Sequence, residues 1–198
     1  MTRSLLHLAV PLLLGTLVTA ESVLAQDLHP SRLPSPVGIA KTFVGDTYVK
    51  VTYGRPYMRG RAIFGNPADG EFLVPFGQTW RTGANEATEI TVTGPVRFAG
   101  QPLAAGTYSI FTVPGADVWE IRIHPGLGMD GTGRMGDDGT FQETYDPAQD
   151  LVVARIRSGT LSEPVDQFTI AFEPAGSGAH MVLQWEETEV RVPIEPGE

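Results

Sequence analysis

Between Arg55 and Arg81 the chain sets four of its twelve arginines among glycine, proline and aromatic residues. The segments read Tyr53-Gly-Arg-Pro-Tyr-Met-Arg-Gly-Arg61, Ile63-Phe-Gly65 and Trp80-Arg-Thr-Gly-Ala-Asn-Glu-Ala-Thr88. A guanidinium is a planar fork of donors that matches a carboxylate or phosphate, so arginines grouped this way suit an acidic ligand. From Thr47 to Ala68 there are Lys50, Arg55, Arg59 and Arg61 and no acidic residue, in a chain whose formal charge is −9. The candidate ligand-binding residues are therefore Arg55, Arg61 and Arg81 as a clamp, Asn85 as a directional hydrogen-bonding group, and Tyr57 and Trp80 as stacking surfaces. Glu86 is the candidate general acid or base. The same residues also fit a scaffold, in which the guanidiniums cap loop carbonyls and pair with Glu86 and the aromatics fill the core. The residues alone leave both readings open.

Other chemistry is poorly represented. The histidines after residue 25 are His29, His124 and His180, scattered without ligand spacing, so no metal and no cofactor is expected. His124 and His180 alternate away from apolar neighbours and are expected to face solvent, as is Glu89. With no cysteine there is neither a thiol nucleophile nor a disulfide. A Gly-x-Ser-x-Gly elbow is missing, and Gly60 to Gly65 lacks the lysine and helix of a phosphate loop. Asp130 to Gly139 mixes Asp and Gly, but not at calcium-loop spacing, and Pro125 to Gln149 reads as a flexible surface loop. The acidic balance argues against nucleic-acid binding.

The elements that must position these residues are strands. Alternation puts Thr47, Val49, Val51 and Tyr53 on one face, Thr88, Ile90 and Val92 on another, and Trp119, Ile121 and Ile123 on a third. Val96–Phe98, Tyr108–Val113, Leu151–Ile156, Gln167–Phe172, Met181–Trp185 and Val190–Ile194 complete the set, with Tyr108–Val113 apolar on both faces as a central strand is. With 23 Gly and 16 Pro punctuating short intervals, helices are excluded as the main element. The expected fold is all-β: a single-domain antiparallel β-sandwich or flattened barrel over residues 37–198, with Trp119 and Trp185 buried. Arg55 to Ala87 and Pro125 to Gln149 are its two long connections. Residues 1–25 carry one early charge, an apolar run from Leu5 to Val18 and small residues at Val23-x-Ala25, the order of a signal peptide. The run is shorter than the ~20 residues of a spanning helix, so no transmembrane span is expected after its removal. Residues 26–36 read as a flexible leader. The expected location is periplasmic or extracellular, in soluble form; the oligomeric state is not encoded in any pattern found.

Thr52-Tyr-Gly-Arg-Pro56, Gly60-Arg61 with Ile63-Phe-Gly65, Leu73-Val-Pro-Phe-Gly77, Trp80 to Thr88, Ala105-Gly-Thr-Tyr-Ser-Ile-Phe111 and Trp185-Glu186 resemble the motifs of a bacterial family of uncharacterised exported proteins, domain-of-unknown-function family 2911. The resemblance covers about Ser35 to Ile194. It departs between Pro125 and Tyr145, where similar proteins have a shorter segment containing Trp and Tyr. It implies export and carries over no catalytic residue. Three functions stay open: a binding module for a small anionic ligand such as an acidic sugar, organic acid or cell-wall fragment; an enzyme, hydrolase or lyase, using Glu86; and a structural envelope protein.

Overall fold

The computed structural model describes residues 33–197; residues 1–25, expected as a signal peptide, and most of 26–36, expected as a leader, lie outside the described residues. The strands, in chain order, are β1 (Val37–Val44), β2 (Thr47–Gly54), β3 (Phe64–Gly65), β4 (Val74–Pro75), β5 (Thr88–Val92), β6 (Val96–Phe98), β7 (Gln101–Leu103), β8 (Gly106–Val113), β9 (Val118–His124), β10 (Gly133–Met135), β11 (Phe141–Glu143), β12 (Val152–Ala175) and β13 (Gly178–Pro196). Nine of them form one antiparallel sheet in the order β1-β2-β5-β8-β9-β12-β13-β6-β7, which does not close into a barrel. β3 and β4 make a short parallel pair, and β10 and β11 a hairpin. The protein is all-β.

Two long strands replace four expected short ones. Leu151–Ile156 and Gln167–Phe172 belong to β12, and Met181–Trp185 and Val190–Ile194 to β13. β12 pairs with β9 through Val152–Arg157 and with β13 from Ser158 onward, with register shifts between Thr160 and Val165 and between Val165 and Thr169. Extra residues in one strand of a pair bend it and increase its twist. Gly159 and Pro164 fall in this stretch, which hides the continuity from any alternation count. The bend folds the sheet over itself, and one core cluster holds side chains from both halves: Val49, Val51, Ile90 and Ile121 from one, Phe168, Ile170, Leu183 and Val192 from the other.

The core is aromatic at its centre. Trp119 and Trp185 are buried, 2% and 1% exposed. Trp80 stacks on Trp185 at 5.9 Å, and Phe64 meets Trp80, Trp119 and Trp185 edge-on at 5.0–5.9 Å. Such pairs contribute about 0.5–1.5 kcal/mol each beyond area burial. Ile63-Phe-Gly65 and Trp185-Glu186 are thereby explained. Phe64 plugs the cluster, and Glu186, at φ 54° in the bulge, accepts from the Ile63 amide at 3.5 Å.

The outward face of the sheet is covered where solvent was expected. Residues 125–149 fold back across it and bring Met129 and Tyr145 onto Phe111 and Ala87. His124 is consequently 2% exposed, not solvent-facing. Its Nδ1 lies 3.2 Å from Asp150, whose other oxygen accepts from Tyr145.

Candidate functional site

β2 ends in Tyr53-Gly-Arg-Pro56, and these residues stitch it to β12. Past Arg157 the side of β12 away from β13 has no strand neighbour, and an open edge invites foreign pairing. The Tyr53 hydroxyl accepts from the Ile170 amide at 2.8 Å and donates to the Ile170 carbonyl at 3.1 Å. Arg55 donates from Nε to the Phe168 carbonyl and from a terminal nitrogen to Thr169 Oγ1. The backbone closes the rest: Phe168 N donates to Pro56 O, and Met58 N to Asp166 O. Arg61 donates to the carbonyls of Met58 and Tyr57, within its own loop, and Tyr57 sits there half-exposed, bridged to Gln167. Trp80 lies in the aromatic core with its Nε1–H donated to the Gly83 carbonyl. Arg55, Tyr57, Arg61 and Trp80 are thus not gathered with the rest of the predicted site.

Arg81, Asn85 and Glu86 are gathered, by a knotted turn. Trp80 pairs with Thr112 through two backbone bonds, and the Thr88 amide and hydroxyl donate to the carbonyls of Arg81 and Thr82. Between these anchors the backbone is forced into left-handed conformations at Thr82 (φ 58°) and Asn85 (φ 63°). For a buried β-branched residue such as Thr82 that costs on the order of 1–3 kcal/mol, a strain that collects at functional sites. The turn rests directly on the end of β2. A Cβ at Gly54 would stand 1.9 Å from the Ala84 carbonyl oxygen, so only glycine permits the approach.

The knot forms one wall of a cleft of about 620 Å³ on the outward face. Arg81, Asn85, Glu86, Glu89 and Asp130 supply its polar lining; Leu33, Val37 and Ala84 supply apolar surface. Asn85 donates to the Ser35 carbonyl at 3.0 Å and ties the chain before β1 to the wall. Asp130 enters through a backbone bridge to Glu86, and Glu89 accepts from the Gly128 amide at 3.2 Å. Glu86 has no arginine partner among the described residues. Arg81 makes no ion pair there either, and its buried Nε has no hydrogen-bond partner. A buried donor left unmade costs about 1–3 kcal/mol.

Glu89 and Asp130 were not among the predicted site residues. Register places Thr52, Glu89, Ser109 and His124 in one row across β2, β5, β8 and β9, and both long connections leave the sheet at that end. Ser109, His124 and Asp150 have the residue types of a hydrolase triad. Ser109, however, is fully buried and donates to the Gly126 carbonyl at 2.7 Å, so this group anchors the covering segment. Burial, and then the Asp150 carboxylate that accepts its hydroxyl, push the Tyr145 phenol up to about 12, although the Arg122 guanidinium bonded to it pulls the other way.

Fold and cleft together define an all-β protein with a walled concavity, lined by both apolar and charged residues, over one end of a folded sheet. A family model described as "Protein of unknown function (DUF2911)" matches residues 35–194, and the chain belongs to that family. Searches of curated proteins and of solved structures find no match.

Proposed function

We propose that this is an exported binding module for a small anionic ligand, whose acidic group is received by Arg81 in the cleft beside Asn85. The observation that carries the reading is Arg81, an arginine without an ion-pair partner among the described residues, in the lining of a cleft of ligand size. Arg81 belongs to a strained, heavily tied turn at the cleft wall while Arg55 and Arg61 are engaged in architecture, so the acid-binding element narrows from three arginines to one. Calorimetry of the protein lacking residues 1–25 against galacturonate, citrate and phosphate tests it. Binding by at least one of them, abolished in Arg81→Gln, supports the module; silence from all three in the wild type counts against it.

A second reading, acid–base catalysis by Glu86, draws on Glu89 and Asp130, which bring further carboxylates to the same cleft. Glu86→Gln separates the two. Binding kept with turnover lost indicates catalysis, whereas binding kept with no turnover in the wild type indicates the module.

A further inference from the structure

The cleft does not end at Val37 and Thr52. Cross-strand register carries its floor onto the outward face of β1 and β2, where the pairs run Val37–Gly54, Ile39–Thr52, Lys41–Lys50 and Phe43–Tyr48. This strip is open: Ile39 and Phe43 are 64% and 67% exposed, and the Phe43 and Tyr48 rings pack at 5.4 Å into one platform. Over the eight residues of β1 it extends roughly 25 Å.

Its charge is the informative part. Lys41 and Lys50 are the chain's only two lysines, and they stand directly opposite one another. Neither makes an ion pair among the described residues, in a protein of formal charge −9. Like charges directly opposite on one sheet face destabilise it. A lysine on an edge strand discourages aggregation, and that explains Lys41. It does not explain Lys50, which sits between β1 and β5 on a strand paired on both sides.

Resting on the cleft reading above, we infer that the ligand is an extended acidic oligosaccharide. Its terminal acidic unit enters the cleft at Arg81; its following units run along β1 and β2, one carboxylate over the Lys41–Lys50 pair and one sugar face on the Phe43–Tyr48 platform. Aromatic faces receive the apolar face of a sugar ring, and the carboxylates and carboxamide of the cleft accept from hydroxyls. An anionic bilayer, the other surface that attracts lysine and phenylalanine together, presents a plane to the whole acidic protein. A single polymer chain touches the strip alone.

The test is calorimetry with galacturonate and its linear hexamer, at low and at high salt, on wild type, Lys41→Gln/Lys50→Gln, Phe43→Ala and Arg81→Gln. The hexamer is expected to bind wild type about tenfold or more tightly than the monomer, because one chain engages two adjoining sites. The lysine double variant should erase that gain, leave monomer affinity unchanged and melt no lower than wild type. Phe43→Ala should erase part of it, and Arg81→Gln should abolish both ligands. Equal affinity for monomer and hexamer overturns the strip and leaves the cleft reading standing. No binding of either overturns both for uronates. Lysine-dependent binding to phosphatidylglycerol vesicles without any hexamer gain assigns the strip to a membrane surface and also overturns the inference.

Discussion

In a Tyr53→Phe variant the ring keeps its place, edge-on to Phe168 at 5.7 Å, and only one oxygen is lost. That oxygen serves both backbone groups of Ile170, on the side of β12 that no strand covers, and Tyr53 is 5% exposed, so water does not replace it freely. Each buried backbone group left unpaired costs about 1–3 kcal/mol. With some relaxation at the β12 edge the expected loss is ~2–4 kcal/mol, a large share of the 5–15 kcal/mol usual for a domain. For this chain length that lowers the melting temperature by about 4–16 °C. Urea unfolding should show a lower midpoint with an unchanged slope, because the surface exposed on unfolding is the same. Hydrogen exchange at the Ile170 amide should accelerate more than at amides of β5 or β8. A loss below ~0.5 kcal/mol, the size of an ordinary surface change, would refute the view that Tyr53-Gly-Arg-Pro56 seals the β12 edge.

Further expectations follow the same logic. Trp185→Ala empties the centre of the aromatic cluster and removes the bond from its Nε1 to the Asp166 carbonyl, so it should cost ~3–5 kcal/mol in denaturant titration. Tyr145, pushed up to about 12 chiefly by burial, favours the protonated form in the folded state. Its contribution is fully present below pH 10 and lost as pH climbs through 12, so the melting difference between wild type and Tyr145→Phe should shrink across that window. Mass spectrometry of exported protein should find Gln26 as the first residue, or Glu21 if the earlier small-residue site is cut; a full-length membrane-retained product contradicts the signal reading.

Strand positions were legible because alternation is a local property. Val49, Val51 and Tyr53 point inward as their spacing demands, and so do Trp119, Ile121 and Ile123. The continuity of β12 and β13 was not legible, since a bulge interrupts the very period by which a strand is recognised. His124 was misjudged for another reason. Alternation says which face a residue takes, not what lies over that face, and the segment covering it has no periodicity to announce it. The arginine cluster shows the limit of proximity in sequence. Arg55 turns to the β12 edge, Arg61 to its own loop and Arg81 to the cleft, because each obeys a different turn of backbone. Trp80 was ambiguous by composition and is resolved only by the ring of Trp185 stacked against it.

The central claim is that Arg81 is held for a ligand and not for the scaffold. Its direct test is Arg81→Gln, measured both for stability and for binding of an acidic ligand that the wild type takes up. Arg81 makes no ion pair among the described residues, and its buried Nε donates to nothing there, so the substitution strands no partner. Stability should stay within ~0.5 kcal/mol of wild type, or rise, while binding is lost. A fall of ~3–5 kcal/mol, the size expected when a buried charged group loses its partner, with no acidic ligand bound by the wild type, would contradict the account and make the cleft wall architecture.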